Sequence, residues 1–279
     1  MKIGIGGYGF VGKATEQLKN NDIEFIIYDK NPELCNPLGT TIEDLSKCDL
    51  VFISVPTPMK KDGSCCIDIV KSVVNDIREY GDPLIIIRST VVPGTCDSLN
   101  CYFMPEFLTE KNFIQDFINN PCWIFGLLNS DKDELFKQRI HKLINSAYDA
   151  TKIKSNEISF INNKEAELVK YFKNCYLATK VSFCNEMYSI CNKLDISYDT
   201  VKDLAVKDVR ITESHTNVPG HDGKFGYGGT CFPKDMSALN TFMKNNDIPS
   251  YILDAAQRRN VEVDRCEKDW ESNVGRSVV

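Results

Sequence analysis

Along the first half of the chain, apolar residues fall into short blocks separated by stretches of helical spacing. Residues 1–6, 24–28 (EFIIY), 50–56 (LVFISVP) and 83–90 (PLIIIRST) read as strands. Their near-continuous apolar character fits burial on both faces of a sheet. Residues 10–20 read as a helix, and DIVKSVVNDI (68–77) repeats its apolar positions at helical spacing. Two more short strands are expected at 101–104 and 122–127, followed by a helix over 132–146. Alternation of this kind predicts a parallel sheet with helices on both faces.

After about residue 162 the pattern changes. KEAELVKYFKNCYLATKVSFCNEMYSICNKL (164–194) is one helical stretch without Gly or Pro. Further helices are expected at 199–207, 234–246 and 251–264. Glycine and proline cluster once in this half, at 219–233. The division that follows is a first domain over 1–162, a helical domain over 163–265 and a tail over 266–279.

Composition narrows the partners. The chain has 279 residues, 42% hydrophobic and 26% charged, with a net charge of -6. No long basic run exists, so neither nucleic acid nor an anionic membrane surface is an expected partner. No apolar stretch is long enough to span a bilayer, and the opening residues lack the pattern of an export signal. The twelve cysteines contain no CxxC and the chain has three histidines. Zinc spacing is absent, no metal is expected, and the cysteines read as reduced thiols in the cytoplasm.

GIGGYGFVG (4–12) holds two overlapping G-x-G-x-x-G phases. The phase beginning at Gly4 leaves three residues for the preceding strand. The phase Gly7, Gly9, Gly12 leaves six, about a normal strand. In that phase the glycines serve a tight turn, close approach to a pyrophosphate, and helix–strand packing. Phe10 and Val11 then open the helix whose free N–H groups face the phosphates. Asp29, ahead of Lys30, ends the second strand 22 residues after Gly7. An acid there binds ribose hydroxyls and repels a 2′-phosphate, which favours NAD over NADP. Thr57 and Thr90 follow strands at the sheet edge where cofactors bind. The fold class is therefore α/β: an N-terminal Rossmann-type parallel sheet, then a long helix and a smaller all-helical domain.

A second motif is GYGGTCFPKD (226–235). Pro233 suits a first helical turn, which puts Cys231 near the helix cap. A free thiol has a pKa of about 8.5, and a helix N-terminus with nearby cations lowers it. Asp235 lies one turn beyond Cys231. Lys170 and Asn174 are four apart on the long helix and share a face; spacing alone reads that face as solvated. His221 reads as a solvated loop histidine.

These segments, with VPTP (55–58), STVVPGT (89–95), PEFLTE (105–110), AELVKYFKNCYLATKVSFCNEM (166–187) and DVRI (208–211), resemble the UDP-glucose/GDP-mannose dehydrogenase family. They occur in family order over residues 1–264. The resemblance implies oxidation of a sugar CH2OH through aldehyde to carboxylate with two NAD+, UDP-glucose being the expected substrate. It makes Cys231 the nucleophile of a thiohemiacetal and a thioester. Lys170 and Asn174 would hold the substrate oxygen, and Asp235 would act with Lys170 and a water as base. Glu110 would activate the hydrolytic water, positioned by Thr90. Glu106, Phe107, Leu108, Phe225 and Gly228 would line the substrate, and Lys234 would lie near the cofactor or the thiol. Arg210 matches an arginine that reaches the substrate across a homodimer interface, the dimer forming through the long helix. Thr109 stands where relatives carry a basic residue.

Relatives also carry a third, nucleotide-sugar-binding domain. This sequence ends before it, as either a naturally short form or a truncated chain; a short form would hold the nucleotide with the 217–229 loop, segment 262–279 or a partner subunit. Two other readings stay open: a two-electron hydroxy-acid-type dehydrogenase, for which Cys231 and the PEFLTE acids have no use, and a non-catalytic NAD- or nucleotide-sugar-binding protein.

Overall fold

The computed structural model describes all 279 residues. It divides into two compact units, Met1–Thr57 with Ile67–Lys170, and Pro58–Cys66 with Tyr171–Val279.

The first unit is built on a seven-stranded sheet. Its elements are β1 (Lys2–Gly6), α1 (Phe10–Thr15), β2 (Glu24–Tyr28), α2 (Ile42–Ser46), β3 (Leu50–Ile53), α3 (Asp68–Arg78), β4 (Leu84–Ile87), α4 (Thr95–Ser98), β5 (Tyr102–Phe103), α5 (Phe113–Ile118), β6 (Trp123–Leu127), α6 (Asp133–Asp149) and β7 (Ile158–Asn162). The strand order is β2-β1-β3-β4-β5-β6-β7. Every pairing is parallel except β5 with β6. All four residues of β3 and of β4 are buried. Each such aliphatic side chain contributes about 1.5–3 kcal/mol of burial. On α3, Val70, Val74 and Ile77 face this core, at the spacing that predicted the helix.

Four elements went unanticipated. α2, α4 and α5 are short, at five, four and six residues. β7 (ISFIN) is half-buried and carries no continuous apolar run.

The second unit is helical: most of α7 (Asn163–Lys193), then α8 (Tyr198–Ala205), α9 (Phe232–Asn245) and α10 (Tyr251–Arg259). α10 runs into a π-helical turn over Asn260–Asp264, where one unbroken helix was expected to 264. Ser197 caps α8 by accepting from the Thr200 N–H at 3.2 Å.

The units divide at other points than the expected boundaries at 162 and 265. The start of α7 is tied into the first unit. Asn163 donates to Asp97 and to the Cys101 carbonyl, and Glu167 accepts from the N–H groups of Gly94 and Cys96. Segment 58–66 packs with the second unit because the tail pairs with it. The Met59 N–H donates to Ser277 O at 2.8 Å, and the Val279 N–H donates to Met59 O at 3.0 Å. Residues 266–279 are thereby part of that unit rather than a separate tail.

Candidate active site

In the first unit the expected cofactor residues all follow carboxyl ends of strands. The Gly7–Gly12 turn follows β1, Asp29 follows β2, Thr57 follows β3 and Thr90 follows β4. The chain crosses from β2 to β3 on either side of β1, the switch point where open α/β sheets bind ligands. Gly7 has φ +90°, and a Cβ there would lie 2.6 Å from Ser54 O. A Cβ on Gly12 would lie 2.2 Å from Gly7 O, whereas one on Gly9 would meet nothing within 4 Å. The turn is therefore closed beneath and open above Gly9, the cradle a pyrophosphate needs. Gly4 and Gly6 lie inside β1, which excludes the other phase.

Gly9 caps α1 without a side-chain acceptor, so the first N–H groups of the helix have no capping side chain. Asp29 accepts from the N–H groups of Tyr8 (2.6 Å) and Asn31 (2.8 Å). A carboxylate offers about four acceptor sites, so it keeps capacity for two ribose hydroxyls. Phe10 and Val11 are half-buried, Lys30 is exposed, and Thr57 and Thr90 are buried. These residues fit an NAD molecule.

Glu106 follows β5 and is buried with Lys170. The Lys170 ammonium donates to the Glu106 carbonyl at 2.8 Å and to its carboxylate at 2.5 Å. Burial pushes the Glu106 pKa up, but Lys170, the Leu108 N–H and Arg88 outweigh it and hold the carboxyl below its usual range. Phe107 and Leu108 are half-buried. Glu110 is exposed, four residues on. Thr109, at the position where a basic residue was expected, donates from its N–H and hydroxyl to Asp116.

In the second unit Cys231 is the N-cap of α9, half-exposed, with Pro233 in the first turn. Its Sγ lies 3.8 Å from Thr230 Oγ1. The Asp235 N–H donates to Cys231 O at 3.0 Å, so the acid sits one turn below the thiol. Asp235 is 1% exposed. One oxygen of its carboxylate accepts from Asn174 Nδ2 at 2.6 Å, the other from the Lys234 ammonium at 2.6 Å. Burial works against the charge on Lys234, but Asp235, Cys231 and Cys65 outweigh it and push its pKa above the ordinary lysine range.

The resemblance grouped Lys170 with Asp235 as one base system. In the structure each has partners within its own unit, Glu106 for Lys170, and Asn174 with Lys234 for Asp235. Arg210 is exposed and forks onto Asp208. Phe225 packs its ring 5.4 Å from Tyr188. Gly228 lies against Arg265: a Cβ there would come 2.4 Å from the guanidinium carbon.

Three residues of these sites escaped sequence reasoning. Arg265 is buried under the 226–229 loop and paired with Asp222 (2.6 Å) and Asp269 (2.7 Å). Asn260 clamps Tyr227 by accepting from its N–H at 2.8 Å and donating to its carbonyl at 2.9 Å. Both lie beyond every motif and gave no signal. Arg88 is buried over the Phe117 ring, at 5.4 Å, near Glu106. Its signal was an arginine ending an apolar strand. Burial lowers its pKa to about 10.

Comparison with known proteins agrees with this geometry. The model of the UDP-glucose/GDP-mannose dehydrogenase family, NAD binding domain, matches residues 37–145, and that of the family's central domain matches residues 164–262. A Rickettsia bellii protein named UDP-glucose 6-dehydrogenase is 33% identical over 233 residues, covering 79% of this chain and 51% of the relative. The chain thus spans about half the length of that relative. The Bacillus subtilis protein YtcA is 31% identical over 305 residues, 93% of this chain and 67% of YtcA. A solved UDP-glucose dehydrogenase from Pyrobaculum islandicum superposes with a TM-score of 0.79 at 24% identity, over 94% of this chain and 68% of that one, and shares the fold. With both of its domain models matched and the glycine cradle in place, the chain belongs to the UDP-glucose/GDP-mannose dehydrogenase family.

Proposed function

We propose that the chain catalyses NAD-dependent, four-electron oxidation of a nucleotide sugar, UDP-glucose to UDP-glucuronate, through covalent intermediates on Cys231. The observation that carries this reading is the helix-capping thiol one turn above the buried Asn174–Asp235–Lys234 network. A two-electron oxidation of an alcohol needs no thiol. Gly7, Gly9, Gly12 and Asp29 would hold NAD+, and two NAD+ bound in turn would supply the hydride acceptor for the two oxidations.

The roles follow from atoms on these side chains. Lys170 and Asn174, one turn apart on α7, donate to the substrate oxygen as charge develops on it. Asp235 takes up the alcohol proton. The Cys231 sulfur adds to the aldehyde carbon and the former carbonyl oxygen gains a proton, giving a thiohemiacetal that still carries a C–H. Loss of that hydride and the hydroxyl proton leaves a thioester. Water attacks the acyl carbon, the C–S bond breaks, and carboxylate and thiol are released. Glu110 and Thr90 are the residues proposed to guide that water. Exposed Phe172, Tyr176 and Phe183 on α7 support a homodimer through this helix, with Arg210 serving the partner's substrate. Light scattering of the wild type against Phe172→Glu tests the dimer.

The decisive experiment counts NADH formed per UDP-glucose consumed, for wild type and Cys231→Ser. Two NADH per sugar, and a variant that releases no carboxylate, is the expected outcome. One NADH per sugar, unaffected by the substitution, refutes the reading in favour of a two-electron dehydrogenase. NAD binding without turnover of any nucleotide sugar refutes it in favour of a binding protein.

A further inference from the structure

After Arg259 the chain of α10 widens into the π-turn over Asn260–Asp264, closed by the Arg265 N–H donating to Asn260 O at 2.7 Å. In an α-helix, residues five apart point about 140° away from one another. A bond that spans five residues sets them one above the other instead. The turn thereby presents Asn260 and Arg265 together, 1% and 3% exposed. What they meet is the glycine loop that leads to Cys231.

The contact is made to backbone. Asn260 closes both polar groups of Tyr227, accepting from its N–H at 2.8 Å and donating to its carbonyl at 2.9 Å. Asn185, on α7, accepts from the Gly226 N–H at 3.1 Å. Arg265 lies against Gly228, its guanidinium held by Asp222 at 2.6 Å and Asp269 at 2.7 Å. A Cβ on Gly226 would collide with the Asn260 amide oxygen, and one on Gly228 with the Arg265 guanidinium. A Cβ on Gly229 would meet nothing within 4 Å. Gly226 and Gly228 are therefore glycines because of the floor beneath them. Only Gly229 and Thr230 separate that floor from Cys231, which caps α9.

We propose that Asn260 and Arg265 are positioning residues for the Cys231 thiol: the π-turn fixes the backbone of residues 226–228 and so sets where the sulfur stands when it meets the aldehyde carbon. The inference rests on the reading of Cys231 as the nucleophile. A nucleophile misplaced by about 1 Å can lose about a hundredfold in rate. The first oxidation sends a hydride to NAD+ and a proton to Asp235, without using the sulfur, and goes on. Its aldehyde then meets a thiol that adds too slowly, and part of it escapes before a second hydride can leave.

The test counts NADH formed per UDP-glucose consumed by the full chain, with an aminooxy compound present to condense with released aldehyde as an oxime. Being a ratio, the count does not depend on how much of a variant is folded. Arg265→Lys keeps a charge for Asp222 and Asp269 and loses the flat guanidinium against Gly228. Deletion of Val263, 61% exposed, keeps both positioning side chains and shortens the π-turn to an α-turn. Each is expected to move the count from two towards one, with oxime making up the difference. Arg258→Gln, on α10 just before the turn and 69% exposed, should stay at two. A count of two in both variants overturns the proposal, and slower turnover at an unchanged count does so too, since it marks a structural role only; in either case a stalled Cys231→Ser leaves the nucleophile standing. A wild-type count of one, unmoved by Cys231→Ser, removes that reading and this inference with it.

Discussion

Replacing Lys170 by methionine keeps the length of the side chain and removes its charge. Lys170 and Glu106 are 3% and 6% exposed. The substitution therefore leaves a carboxylate in the interior whose remaining compensation is the Leu108 N–H and the charge of Arg88. Breaking one side of a buried pair costs about 3–5 kcal/mol, a large share of the ~5–15 kcal/mol that holds a domain folded. The cost depends on pH. In the wild type the Glu106 pKa is depressed below its unfolded value, so the pair's contribution is present above the unfolded pKa, near 4.5, and is lost as pH falls through the folded pKa. In Lys170→Met, burial, the largest influence on Glu106, dominates and raises its pKa. The penalty then appears as pH rises past about 4.5 and grows until Glu106 has lost its proton in the folded state as well. Chemical denaturation from about pH 4 to about pH 8, followed by the buried Trp123 of the same unit, is expected to show a difference of about 3–5 kcal/mol at neutral pH that shrinks towards pH 4. The double variant Lys170→Met/Glu106→Gln should recover most of it, since an amide carries no uncompensated charge. A difference that is flat with pH, or a double variant as unstable as Lys170→Met, refutes the assignment of Glu106 as the counter-ion.

Gly12→Ala places a Cβ 2.2 Å from Gly7 O and should lower the thermal midpoint and abolish NAD binding together. Gly9→Ala, with open space around it, should change stability by less than about 0.5 kcal/mol and still weaken NADH binding at least about tenfold in a fluorescence titration. Gly228→Ala pushes on the Arg265 guanidinium. Because Arg265 draws the Asp269 pKa down to about 2, wild-type stability from this pair persists above the ordinary aspartate pKa and fades as pH falls towards 2; acid titration of the variant should lose that dependence. Alkylation followed by peptide mass spectrometry should label Cys231 faster than the exposed Cys266, while Cys48 and Cys101, whose thiols burial pushes up to about 12, stay unreacted. Lys234→Gln should slow Cys231 about tenfold and leave Cys266 unchanged.

What the sequence disclosed and what it withheld follows the range of the interactions. β2 (Glu24–Tyr28) coincides with the expected strand, and α3 and α7 lie within a residue of expectation, because each is a local apolar pattern long enough to declare its period. β7 was missed because its five residues are half-buried, so neither alternation nor a run is present. Cys231 as the cap was legible because Pro233 and the glycines mark the helix start locally. The Glu106–Lys170 pair spans 64 residues and Asn174–Asp235 spans 61; no spacing rule reaches that far. Asn260 acts on the backbone of Tyr227, and Arg265 on the carboxylates of Asp222 and Asp269, none of them within a spacing rule.

Long helix α7 shows why spacing alone misjudged Lys170. Its polar residues are inside: Glu167, Lys170, Asn174, Ser182 and Asn185 are each under 10% exposed, while Phe172, Tyr176 and Phe183 are 72%, 58% and 60% exposed. An amphipathic helix read by hydrophobicity would be turned the other way. The inversion is sustainable because each of these five buried residues has a partner. Glu167 takes two backbone N–H groups, Lys170 takes Glu106, Asn174 takes Asp235, Ser182 donates to Ala256 O and Asn185 accepts from Gly226 N. Without those partners each would cost about 1–3 kcal/mol. The apolar residues facing outward have no such local explanation. Clustered exposed aromatics on one helix face mark an interaction surface more often than a solvated one. The exposed aromatic residues of α7 are the physical ground on which the dimer is proposed.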